Sequence, residues 1–195
     1  MSAAAQEVAL FPLHTVLFPG GLLPLKIFEP RYMQMVSACM RSGEPFGVCS
    51  IREGREVGAP AVPNAVGCLA RIVQWDMQQL GVLNIVARGE RRFRIVERRV
   101  QRDGLALGSI ELLPQEDDGP IGDELAVCAR ALQSIIDQGA APLIESPARL
   151  ESASWVSGRL AEVLPLPLDL KQRLLEIDAG TERLQRLRET LQEKD

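Results

Sequence analysis

Few residues in this chain could do covalent chemistry. One histidine, His14, and four cysteines, Cys39, Cys49, Cys68 and Cys128, supply the raw material for a thiolate nucleophile with an imidazole base. Such a pair needs the base or a positive charge close enough to hold the sulfur deprotonated. Nothing in the spacing brings them together. His14 lies among strand and turn signals beside prolines, and the cysteines fall on apolar helix faces or in strands, where a thiol behaves as a small hydrophobe. No CxxC pair is present and no second histidine, so zinc-ligand spacings are absent; no metal and no cofactor is expected. The adjacent acids Asp117 and Asp118 sit in a polar stretch, Gln115 to Pro120, that reads as a solvated linker. A catalytic carboxylate pair would need burial to drive its pKa values apart. The chemistry expected is therefore binding, with no catalytic residue assigned.

Two clusters could bind. Arg88, Arg91, Arg92, Arg94, Arg98, Arg99 and Arg102 lie within fifteen residues, interleaved with Glu90, Glu97 and Asp103. On a strand Arg92 and Arg94 share one face while Phe93 and Ile95 take the other, so Arg91, Arg92 and Arg94 are the candidates for a phosphate or RNA contact. The bland reading is a solvated, salt-bridged strand face, which the interleaved acids favour. The second cluster is apolar: Leu22, Leu23, Leu25, Ile27, Phe28 and Tyr32 crowd one strand-to-helix corner. Some of these would line a groove for extended peptide, by hydrophobic contact or by strand addition at an irregular edge. The bland reading there is core. Trp75 and Trp155 are the two large rings left to anchor an internal seam or a partner.

Positioning these clusters is the task of an α+β fold. The 195 residues are 46% hydrophobic and 25% charged, ordinary values for a globular chain able to bury a core, and 4% aromatic, so that core must be aliphatic. Val8 to Leu13 and Leu22 to Phe28 read as strands joined by a tight turn, the second at an edge or irregular because Pro24 cannot donate to a ladder. Pro30 opens a helix that Gly43 stops. Phe46 to Ile51, Val66 to Trp75, Leu83 to Ala87, Arg92 to Val100 and Leu105 to Leu113 read as further strands, broken near Gln78 to Gly81, at Gly89 and at Asp103-Gly104. This is the spacing of an antiparallel meander. Beyond residue 115 all patterns are helical: Asp123 to Gln138, a helix opened by Ser146-Pro147 and ended by Pro165, Pro167 to Ile177, and a last helix capped by Asp178 or Thr181. The net charge of −4 divides into +3 over residues 1–115 and −7 over residues 116–195, which predicts one lobe for each of these spans. The N-terminus has no positive, apolar leader, no apolar run suffices to span a membrane, and unpaired cysteines suit a reducing cytoplasm.

Two stretches carry a family resemblance. FPLHTVLFPGGLLPLKIFEPRYMQMV, from Phe11 to Val36, and LPLPLDLKQRLLEIDAGTERLQRLRETL, from Leu164 to Leu191, resemble the opening and the closing helices of the Lon protease N-terminal, substrate-binding domain. The resemblance implies a PUA-like antiparallel pseudo-barrel with one helix, followed by a helical bundle. It also implies a role in polypeptide recognition. No GxxxxGK[ST] loop is present to cradle ATP phosphates. Of the three lysines, Lys26, Lys171 and Lys194, none lies in the setting of the Ser-Lys dyad used by the Lon protease module. The expectation is a free-standing, non-catalytic recognition or adaptor module for unfolded or extended polypeptides. It would act with a protease or chaperone, as a monomer or weak dimer. The alternative, since PUA-like folds in other proteins bind RNA, is RNA binding on the arginine face.

Overall fold

The computed structural model describes residues 6–139 and 143–192. In chain order the elements are strand β1 (Gln6–Leu13), strand β2 (Leu22–Ile27), helix α1 (Pro30–Ser42), strands β3 (Phe46–Glu53), β4 (Val62–Pro63), β5 (Val66–Gln79), β6 (Val82–Val100) and β7 (Ala106–Leu112), and helices α2 (Ala126–Asp137), α3 (Ala153–Val163), α4 (Leu168–Glu176) and α5 (Gly180–Gln192). A 3₁₀ turn over Asp123–Leu125 leads into α2. Among the described residues no helix is long and apolar enough to cross a membrane.

The strands run in the order β1-β7-β6-β5-β3, and β3 returns to β1 in parallel, so these five close into a ring. All other pairings are antiparallel. The expected meander is present as β5-β6-β7, with two differences. First, β1 and β2 form no hairpin; β2 crosses to pair with the first half of β6, from Leu22 opposite Arg88 to Ile27 opposite Leu83. Second, Gly89 does not end a strand. It lies inside β6, whose 19 residues absorb both expected segments.

Gly89 is there for close approach. The chain from Phe18 to Gly21 passes over it, with Gly20 N–H donating to Gly89 O (2.7 Å) and Gly89 N–H to Gly21 O (2.8 Å). A Cβ at Gly89 would stand 2.2 Å from the Phe18 carbonyl oxygen.

Three apolar clusters fill the molecule. One lies beneath α1, around Phe11, Leu17, Met35, Val36 and Phe46, with Phe11 and Tyr32 stacked at 4.1 Å. Helix α1 forms where Pro30 and Gly43 predict it; Gly43 is left-handed and its N–H closes the last turn on Cys39 O. A second cluster, including Leu10, Phe93 and Ile110, fills the ring. The third joins the helices to the sheet, with Phe18 and Val66 among Leu132, Trp155, Leu174 and Leu184.

The helix expected from Pro147 begins instead at Ala153, where Ser152 is the cap and its hydroxyl accepts from Trp155 N–H (3.1 Å). The acidic stretch is no free linker. Glu116 is buried against two arginines, Asp117 bridges to Ala179, and Asp118 accepts from the hydroxyls of Ser152 (2.5 Å) and Ser154 (2.7 Å) and from Arg149 (2.9 Å). Burial alone would raise the Asp118 pKa, but the two serine hydroxyls and Arg149 outweigh it and hold this carboxyl below its usual range. A depressed carboxylate pKa adds stability above the unfolded value and loses it as pH falls through the folded one. Asp118→Asn is therefore expected to flatten the loss of stability that sets in below about pH 4. Urea melts at neutral and acid pH check this, and an unchanged pH slope in the variant would refute it.

Candidate functional site

The candidate site grows from β2. Its only strand neighbour among the described residues is β6, so one backbone edge is unpaired, and Pro24 removes a donor from its middle. Leu22, Leu23 and Leu25 are half-buried there and Phe28 is 51% exposed. Ile27 and Tyr32 correct the sequence reading: they are core residues at 1% and 6% exposure, Tyr32 on the inner side of α1 and Ile27 in the cluster beneath it, and offer a ligand no more than the floor of a hollow. Their burial follows from register, since Ile27 opposes Leu83 on the core face and Tyr32 stacks on Phe11.

Two hollows flank this edge and share Pro24. At the start of β2 a cavity of about 260 Å³ is walled by Leu17, Leu22, Leu23, Ile144 and Val163, with Glu162 and Lys171 also lining it. At the far end a cavity of about 330 Å³ is formed by Leu13, Leu25, Phe28 and Val57, over Tyr32. The walls are largely apolar, with Lys26, Glu29 and Glu56 also lining the second hollow. Sequence reasoning found the β2 leucines but missed the helical wall, because Glu162 and Lys171 reach the cavity only once α3 and α4 pack beside β2.

Charge in the first hollow is arranged closely. The Glu162 carboxylate accepts from Phe18 N–H (3.2 Å) and from Arg159 Nε (2.8 Å), while Lys171 Nζ donates to the Glu162 carbonyl oxygen (3.0 Å). Burial pushes the Glu162 carboxyl up, against the pull of Arg159, and burial pushes the Lys171 ammonium down, against the attraction of Glu162.

The arginine face is mostly committed elsewhere. Arg92, expected on a solvent face, is 2% exposed. Its Nη1 donates to Leu175 O (2.9 Å) and Ile177 O (3.0 Å), its Nη2 to Asp178 (2.7 Å), and its Nε lies 3.2 Å from Glu116. It is a buried tie between sheet and helices. Arg91 is exposed but donates to Leu113 O, and Arg94 is exposed in register with Glu111. Arg88 pairs with Glu145, Arg99 with Glu7 and Arg71 with Glu90, while Arg98 donates to Ala61 O. Such pairing neutralises much of the arginine face among the described residues.

His14 is exposed, and all four cysteines are free. Burial raises the thiol pKa of each, with Cys49 and Cys68 fully enclosed, which disfavours the thiolate form. Among the described residues no cluster of His, Cys, Asp and Glu could hold a metal. Trp155 is buried among the helices, whereas Trp75 is 60% exposed near the tip of the β5-β6 hairpin, where Leu80 is also exposed.

Comparison with known proteins places this architecture. A Lon N-terminal domain protein from Xanthomonas campestris superposes with a TM-score of 0.78 at 36% identity, covering 93% of this chain and 96% of that one. The N-terminal domain of Mycobacterium avium complex Lon protease shares the fold, with a TM-score of 0.67 at 22% identity over 93% of this chain and 96% of that one. Among curated sequences, the protein cereblon of Gallus gallus is 28% identical over 57% of this chain, and Lon protease 1 of Hydrogenovibrio crunogenus is 24% identical over 91%. The chain spans about a quarter of the length of each, 25% and 22%. Residues 7–193 match the family profile described as the ATP-dependent protease La (LON) substrate-binding domain, and with nearly all of its length covered the chain belongs to that family.

Proposed function

We propose that this protein is a non-catalytic recognition module that holds unfolded or extended polypeptide along the outer edge of β2. The observation that carries the reading is an edge strand with an unpaired backbone, flanked by two hollows with largely apolar walls. Strand addition supplies main-chain hydrogen bonds that any sequence can make, and the hollows accept apolar side chains. This suits clients selected for being unfolded. The closed ring reads as a PUA-like pseudo-barrel and α2–α5 as a helical bundle, two lobes meeting near residue 115, and the four free thiols suit the cytoplasm. A protease or chaperone is the class of partner that such a module would serve.

Leu22→Asp and Phe28→Asp test this, because both side chains line the groove without belonging to a buried cluster. Each is expected to weaken binding of a reduced, alkylated model protein about tenfold while leaving the thermal melt in place. The wild-type interaction is expected to persist at about 1 M salt, where the Debye length is about 3 Å. Unchanged affinity in both variants would remove β2 as the site. Affinity for single-stranded RNA that collapses with salt would instead favour the arginine face.

A further inference from the structure

Resting on the reading of β2 as a polypeptide edge, we infer that the hollow at the start of β2 receives the free carboxyl terminus of an extended polypeptide with an apolar last side chain, Lys171 serving as counter-ion. A lysine lines each hollow, but Lys26 at the other end of β2 is exposed and shares its hollow with Glu29 and Glu56, whereas Lys171 is half-buried and shares its own with Glu162. Lys171 makes one hydrogen bond among the described residues, to the Glu162 carbonyl oxygen, and an ammonium has three donors. The carboxylate nearest to it is already engaged by Phe18 N–H and Arg159 Nε. Arg159 and Lys171 against Glu162 leave the cluster one positive charge in excess.

That excess charge sits where water is scarce. Lys171 is half-buried and Arg159 is 1% exposed in its side chain, so an entering carboxylate would restore solvation that burial has removed. Size fits the same ligand. About 260 Å³ lies just below the usual range of roughly 300–1,000 Å³ for small-molecule pockets, which suits a terminal residue or two. Leu22 and Leu23, which wall the hollow, also begin β2, so a chain paired along that edge delivers its end to Lys171 without a turn.

The test compares one fluorescent heptapeptide of alternating valine and serine ending in leucine, made once as the free acid and once as the C-terminal amide. Binding is titrated against the wild-type protein and Lys171→Gln, whose amide can still donate to the Glu162 carbonyl. The expected result is about tenfold or tighter binding of the acid over the amide, with the preference abolished in K171Q and the amide bound equally by both proteins. Equal affinity of wild type for acid and amide overturns the inference while leaving the β2 reading intact. A preference that survives in K171Q also overturns it, since the counter-ion is then another group. Absence of binding by either peptide removes the β2 reading and this inference with it.

Discussion

Glu116→Ala is expected to lower the stability of this protein by about 3–5 kcal/mol, the usual result of removing one partner from a buried ion network. Glu116 is shared by two arginines that have almost no contact with solvent: Arg183 reaches it through Nη1 (3.1 Å) and Nη2 (2.5 Å), and Arg92 through Nε (3.2 Å). Each guanidinium also donates to carbonyl oxygens near the end of α4, Arg183 to Leu174 and Ile177 and Arg92 to Leu175 and Ile177. Carbonyls offer hydrogen bonds but no countercharge. Asp178 remains beside Arg92, yet it is largely exposed and its attraction is screened. Removing Glu116 therefore leaves two enclosed positive charges under-compensated. For a chain of this size the loss corresponds to a fall in Tm of about 6–20 °C. Asp178→Asn, by contrast, is expected to shift stability by less than about 1 kcal/mol. Urea denaturation of both variants decides the matter: a Glu116→Ala protein within about 1 kcal/mol of wild type would show that the network is not what joins the helices to the sheet.

Gly89→Ala is expected to be nearly as severe, with a loss of about 3 kcal/mol, or no soluble protein. The added methyl would meet a backbone carbonyl, that of Phe18, and cannot be relieved by rotating a side chain. Either β6 bends or the Phe18–Gly21 segment lifts, and lifting it breaks both hydrogen bonds between that segment and Gly89. Phe18 is fully buried among the helices and β2 begins at Leu22, so the strain reaches the core and the proposed binding edge together. Gly122→Ala is the control. A Cβ there has nothing within 4 Å, and its cost is expected to stay below about 0.5 kcal/mol. Equal melts for G89A and G122A would rule out the close approach as a constraint on stability.

What the sequence made legible was local. Pro30 and Gly43 marked α1 because a helix start and a left-handed stop are written in single residues. The leucines of β2 advertised an apolar edge because alternation and a proline can be read within six residues. Arg92 could not be read in this way. An arginine on a strand is ordinarily solvated, and the carbonyl oxygens that enclose this one lie 83 and 85 residues further along the chain. Gly89 reads as a turn signal for a related reason: glycine marks both turns and close approaches, and the approaching Phe18 carbonyl is about 70 residues away in sequence. Ser146-Pro147 carried a stronger helix-start signal than Ser152, yet Ser152 is the cap, because Asp118 and the start of α3 hold it there. For the site, Leu22 and Leu23 were legible. Lys171 was not, since helical periodicity places it beside an apolar face without revealing that β2 closes the other side.

The placement of Arg92 also sets an order in time. At about 5–20 residues per second of synthesis, the carbonyls of Leu175 and Ile177 emerge several seconds after Arg92 itself. During that interval the nascent sheet carries a guanidinium without its carbonyl partners, and the surface that will meet α4 and α5 stays open to water. The arrival of the last two helices is then the event that dries the junction.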